Sequence, residues 1–126
     1  IGGGDRRHQL MGLVRELRNR RKVEPKRIEV PEWADESGEP FVFYCYPITA
    51  YDMGQMQKKH PGFLSDMTLP AMVDLICLKA TNEANERIFD SAEDRHDLMG
   101  EESAIVSEIA AQMFSTITSV EDQEKN

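Results

Sequence analysis

Two cysteines in 126 residues, Cys45 and Cys77, cannot build a disulfide framework. Both sit in apolar runs and read as reduced core residues of a cytoplasmic protein. No apolar run approaches the ~18–20 residues of a membrane span, and no signal-peptide core is visible. The glycine-rich phosphate loops, the GxSxG elbow and the HExxH zinc motif are all missing. The three histidines, His8, His60 and His96, fall in three separate segments, whereas a metal site needs several convergent ligands. The densest acidic group, Asp90, Glu93, Asp94 and Asp97, departs from the spacing of a calcium loop. It fits a helix N-terminus, where negative charge is stabilising. These absences leave no expected cofactor, metal or catalytic residue, and the chain reads as a non-enzyme.

The length suits one domain of ordinary size. With 40% hydrophobic and 30% charged residues and a mean hydropathy of −0.54, a modest core with polar ends is expected. The net charge of −8 is unevenly spread. Residues 5–27 hold nine basic and three acidic side chains, a charge of +6, which leaves −14 on the remainder. Such an arm can be a solvated helix face, can pair with acidic surface in its own or a neighbouring chain, or can contact nucleic acid. The acidic remainder opposes the last, because it repels phosphates. Ile1-Gly2-Gly3-Gly4 reads as an expression scar or mobile linker, ahead of a basic helical arm over 5–27.

The periodicity predicts a mainly helical α+β domain over 28–118, followed by a flexible acidic tail over 119–126. Within 6–22, Leu10, Leu13, Val14 and Leu17 make one narrow apolar stripe, an N-terminal amphipathic helix. Alternation over 27–33 and the run Phe41–Tyr46 predict an antiparallel β-hairpin over 27–48, turning at 34–40. Three to four packed helices follow, over 50–60, 69–85, 92–99 and 102–117. Thr49, Thr68 or Ser65, and Ser91 are their candidate N-caps, Gly100 ends the third, and Leu98 and Met99 point inward. The second, 69–85, is apolar nearly all round and is expected at the centre.

Trp33, Tyr44, Tyr46 and Tyr51 gather around the hairpin without interleaved positive charge, which suits core and protein interface better than base stacking. Methionines such as Met53 and Met56 can supply an adaptable surface. The partner-binding candidates are therefore Leu10, Leu13, Val14, Leu17, Trp33, Tyr44, Tyr46, Met53 and Met56, and self-association through the arm is expected.

The order of short motifs carries more. Glu29-Val30-Pro31-Glu32-Trp33 precedes a second strand that runs into Pro47-Ile48-Thr49-Ala50. After the long apolar helix come Arg87-Ile88-Phe89-Asp90-Ser91-Ala92-Glu93-Asp94, then Leu98-Met99-Gly100, and at the end Glu124-Lys125-Asn126. Over residues 28–126 this resembles the tail assembly chaperones of long-tailed, siphovirus-like bacteriophages. Leu-Met-Gly stands where that family has Leu-Gly, and Ile48 where it commonly has Leu. The resemblance implies a non-catalytic chaperone in the host cell cytoplasm. It would bind the tape measure protein and the major tail tube protein during tail morphogenesis and be absent from the mature virion. The alternative is a small nucleic-acid-binding regulator that uses the basic arm. Neither reading expects a membrane.

Overall fold

The computed structural model describes the backbone of residues 12–125 and the side chains of 12–115. The fold is α+β and mainly α. Helix α1 spans 12–19; strands β1 (Lys26–Val30) and β2 (Phe41–Cys45) follow; then come α2 (Ala50–Lys59), α3 (Leu69–Lys79), α4 (Ala92–Met99) and α5 (Ser103–Lys125).

The hairpin pairs Lys26 with Cys45 and Val30 with Phe41 in antiparallel register. Side chains alternate across a strand, so Ile28, Val30, Phe43 and Cys45 enter the core together. Lys26 lies on the same face, and its amine donates to Ser115 Oγ on α5. The turn is built around Asp35, whose Oδ1 accepts from Ser37 N (2.9 Å) and Glu39 N (3.1 Å). Gly38 takes the left-handed conformation it requires, at φ 88°.

A two-stranded sheet is marginal alone. Here α5 lies against β1 and against α3, and α3 also meets α2 and α4. Ala71, Val73, Leu75, Ile76 and Cys77 of α3 and Val106, Ile109 and Met113 of α5 close the core. The expected central helix is thus in place. Its start is capped by Thr68, whose hydroxyl accepts from Ala71 N, with Pro70 in the first turn. Helix α2 opens on a full capping box: Thr49 Oγ1 accepts from Asp52 N (3.1 Å), and Thr49 N donates to Asp52 Oδ2 (2.9 Å). Ser91 caps α4 in the same manner, by accepting from Asp94 N.

Five expectations need correction. The helical arm expected over 5–27 ends at 19, ahead of Pro25, and Lys26 and Arg27 belong to β1. The helix expected over 69–85 stops at Lys79. Ala80 turns extended, and Thr81 exchanges backbone hydrogen bonds with Tyr44 (2.8 and 2.9 Å). A tight turn follows, in which Asn82 Oδ1 accepts from Ala84 N and Glu86 N, with Asn85 at φ 62°. Side-chain bonds of this kind offer Asn an alternative to helix, and Thr prefers extended backbone. Helix α5 continues past the expected end at 117 to Lys125, since no Gly or Pro interrupts 101–125. The helical backbone therefore runs through the segment read as a flexible tail. Met99 is exposed although expected inward, because Leu98 alone reaches the core from the end of α4. Finally, the second half of the strand expected over 27–33 is a 3-10 turn, Pro31–Trp33, since Pro31 has no N–H for the ladder.

Candidate functional site

An apolar groove lies at the turn end of the hairpin. Pro31 ends β1, and the 3-10 turn it starts swings Trp33 off the strand. The Trp33 ring meets Phe41 edge-on at 5.9 Å between centroids and Phe89 at 6.1 Å. Phe89 is brought in by the turn after α3, where Ile88 N donates to Ala80 O (3.1 Å), and it also packs on Phe43 at 6.4 Å. Leu98 completes the floor, and Asp94, Asp97 and Glu101 stand around an opening of about 320 Å³. Trp33 Nε1 donates to Glu101 Oε2 at 2.8 Å. The Glu102 N–H and this indole N–H hold the Glu101 carboxyl below its ordinary pKa. The arrangement is an apolar floor with an acidic rim.

A second depression of about 280 Å³ lies between α2, α3 and the start of α4 and mixes charged with apolar lining. Its organising group is the buried Asp74, which accepts from His60 Nε2 (2.7 Å), Arg95 Nε (2.6 Å) and Arg95 Nη2 (3.3 Å). Burial pushes the Asp74 pKa up, but the hydrogen bonds from Arg95 and His60 and the nearby cations outweigh it and hold the carboxyl below its ordinary value. Arg87 Nε is spent on the Cys77 carbonyl (3.0 Å). Burial, reinforced by Asp74, raises the Cys77 thiol, and burial raises Cys45 to about 11. Neither is the thiolate that nucleophilic chemistry uses. The cluster pins the end of α2, α3 and α4 together. Among the described residues, no three His, Cys, Asp or Glu side chains are placed to hold a metal ion.

A third, smaller hollow of about 200 Å³ is lined by Phe63, Leu64, Met67 and Phe114. Leu64 is 62% exposed beside it.

The nine candidate residues do not converge. Leu10 lies outside the described residues. Leu13, Val14 and Leu17 are exposed on α1, so the described part of the arm does not lay its stripe on its own domain. Trp33 is in the aromatic groove. Tyr44 is on the hairpin's other face, its hydroxyl 3.3 Å from Glu83 Oε1, and Tyr46 follows β2 half-buried. Met53 is half-buried against the core. Met56 is corrected: at 2% exposed it fills the core, because it lies on the inner face of α2 one turn before the cap. Phe41, Phe89 and Leu98 were missed. Phe41 pairs opposite Val30, one 3-10 turn from Trp33, so register could have found it; Phe89 depends on the turn after α3, which no local pattern announces.

The geometry defines a small α+β domain with open apolar surfaces, and among the described residues no helix is long and apolar enough to cross a membrane. Comparison with family models, with curated proteins and with solved structures gives no match for this chain.

Proposed function

We propose that this protein is a tail assembly chaperone of a long-tailed bacteriophage, acting without catalysis on the tape measure protein and the tail tube subunit. The observation that carries the reading is apolar surface left open in separate places on an acidic domain: the α1 stripe, the Trp33 groove and the hollow beside Leu64. Such patches mark protein interaction sites, and net charge keeps a chain that displays them in solution. The ordered motifs add to it. Thr49 and Ser91, which head the helix starts quoted in the resemblance, are both working caps, and Trp33 of the first motif lines the groove.

In this reading the hollow of Phe63, Leu64, Met67 and Phe114 takes apolar side chains from one face of a tape measure helix, by insertion of an amphipathic face into a groove. The host cytoplasm is where the client would be held before the tube polymerises around it. Co-expression with the tape measure reading frame is the test. Copurification that Leu64→Glu weakens on the order of tenfold supports the reading, since a charge would enter an apolar contact. No association with either the tape measure protein or the tube subunit at tens of micromolar overturns it.

The exposed Arg15, Arg18, Arg20, Arg21 and Lys22 favour one second reading, a nucleic-acid-binding regulator. It requires binding to DNA or RNA that weakens steeply with salt. No shift of either nucleic acid at ~50 mM salt removes it.

A further inference from the structure

Two features of the molecule are complementary, and among the described residues neither is covered. One is α1, which presents Leu13, Val14 and Leu17 to solvent, with Val14 at 67% exposed. Arg18 stands one turn after Val14, and Arg20, Arg21 and Lys22 follow the end of the helix. The other is the groove of Trp33, Phe41, Phe89 and Leu98 with its rim of Asp94, Asp97 and Glu101. The segment around that rim, residues 90–102, holds six carboxylates against one arginine, and that arginine is occupied by Asp74. An apolar stripe edged with arginines and an apolar floor edged with carboxylates match in both hydrophobicity and sign.

We propose that the groove receives α1 of a second copy of this chain. The structure favours a neighbour over the same molecule, because Leu13, Val14 and Leu17 stand exposed and none of them lines the groove of its own chain. The arm enters the domain at Lys26, which pairs with Cys45, whereas the groove is at the other end of the hairpin, beyond the Val30–Phe41 pair. These ends are roughly 13 Å apart at ~3.3 Å per residue. The seven Cα steps from residue 19 to Lys26 span at most ~25 Å. Roughly half of that reach would be consumed in doubling back along β1. Pro25 also holds the preceding residue extended at the strand's entrance, which directs the arm away from the groove.

A neighbour's arm meets no such constraint. If two copies exchange arms about a two-fold axis, the contact closes into a dimer; if the exchange runs head to tail, it builds a ring or a chain. At every such contact the groove is filled by Leu13, Val14 and Leu17, while Arg18 and Arg21 come to the Asp94–Asp97 rim. The inference does not rest on the identity of any client, because donor and acceptor are both in this sequence.

Trp33 is the chain's single tryptophan, so the groove carries its own reporter. The experiment uses the full chain, followed by light scattering and by Trp33 emission over a hundredfold concentration range. The expected result is a reversible rise in mass with a blue shift of Trp33 in step, both weakened by high salt. Leu13→Glu/Leu17→Glu should abolish both. Arg18→Glu/Arg21→Glu and Asp94→Lys/Asp97→Lys should each weaken assembly on the order of tenfold, and combining the two reversals in one chain should restore it. These substitutions fall on exposed or rim positions outside the core, so folding persists and is checked by circular dichroism. A monomer throughout the range overturns the proposal. So does a Trp33 shift independent of concentration, which would place the arm in its own groove, or an oligomer indifferent to the arm variants. Client binding, tested at Leu64, can fail or succeed without changing any of these outcomes.

Discussion

The domain and its arm use the same apolar residues to opposite ends. In the domain, Ile28, Val30, Leu75, Ile76 and Ile109 are buried from several sides at once, by the hairpin, α3 and α5. In α1, Leu13, Val14 and Leu17 hold an equally regular helical spacing and remain in water. Periodicity therefore specifies a face but not its partner. Charge differs as sharply: the arm segment is +6 and everything else −14. The domain's core is closed by its own chain, whereas the described part of the arm leaves its apolar stripe exposed.

Substitutions sharpen or break that contrast. The largest effect is expected in the core. Phe43, 1% exposed, packs on Phe89 and Phe41 and joins the sheet to the groove. Phe43→Ala should cost ~3–5 kcal/mol, read as a lower urea midpoint with an unchanged slope. A cost below ~1 kcal/mol would mean the hairpin is not part of the closed unit.

Next in size is the charged pin. Asp74→Ala removes the acceptor shared by His60 and Arg95 and should cost ~1.5–3 kcal/mol, the scale of hydrogen bonds to a charged group. The pH dependence follows from the lowered pKa. A carboxyl with a lower pKa folded than unfolded binds fewer protons in the native state, so stability rises with pH between the two values. The contribution is fully present above the unfolded carboxylate value of ~3.9 and is lost as pH falls through the folded value. Asp52 acts in the same sense. Burial raises its pKa, but the hydrogen bonds from Lys79 (2.8 Å) and Thr49 N outweigh it. Denaturant titration of wild type from pH 7 to pH 2 should show the loss setting in below ~3.9, and Asp74→Ala should show less of it. Equal slopes in the two proteins would remove Asp74 as a source.

A smaller effect is expected at the caps. Thr49→Ala should cost ~1 kcal/mol, because it removes the acceptor for Asp52 N and leaves half of a capping box. Thr49→Ser, which keeps the hydroxyl, should recover most of it in the same denaturant measurement.

These caps also mark what was legible in the sequence. Thr49, Thr68 and Ser91 act through bonds three residues away, so short windows contain the whole interaction. The hairpin and the central helix were equally local, signalled by alternation and by an all-round apolar run. What escaped depends on distant partners. Helix α3 ends at Lys79 because Thr81 finds Tyr44, 37 positions earlier. The groove requires Trp33, Phe41, Phe89 and Leu98 from four elements; in the sequence Trp33 alone reads as a partner-binding candidate, and Leu98 only as an inward residue. Met56 looked available as a surface methionine because spacing within α2 cannot say which neighbours cover it.

The smallest stability change is expected where the apolar residues are exposed, and it is the most direct test of the contrast. Leu17→Glu in α1 leaves no cavity and breaks no buried bond, so at low micromolar concentration its unfolding free energy should match wild type within ~0.5 kcal/mol. If the arm were packed on its own domain, the same change would bury a charge and cost several times more. Concentration then separates the two proteins. An arm that binds only a folded neighbour stabilises the native state by mass action, so the wild-type urea midpoint should climb as protein is added. The Leu17→Glu midpoint should stay flat. The two curves would meet at high dilution, where the arm is idle in both, and their divergence reports the free energy that α1 holds in reserve for a second chain.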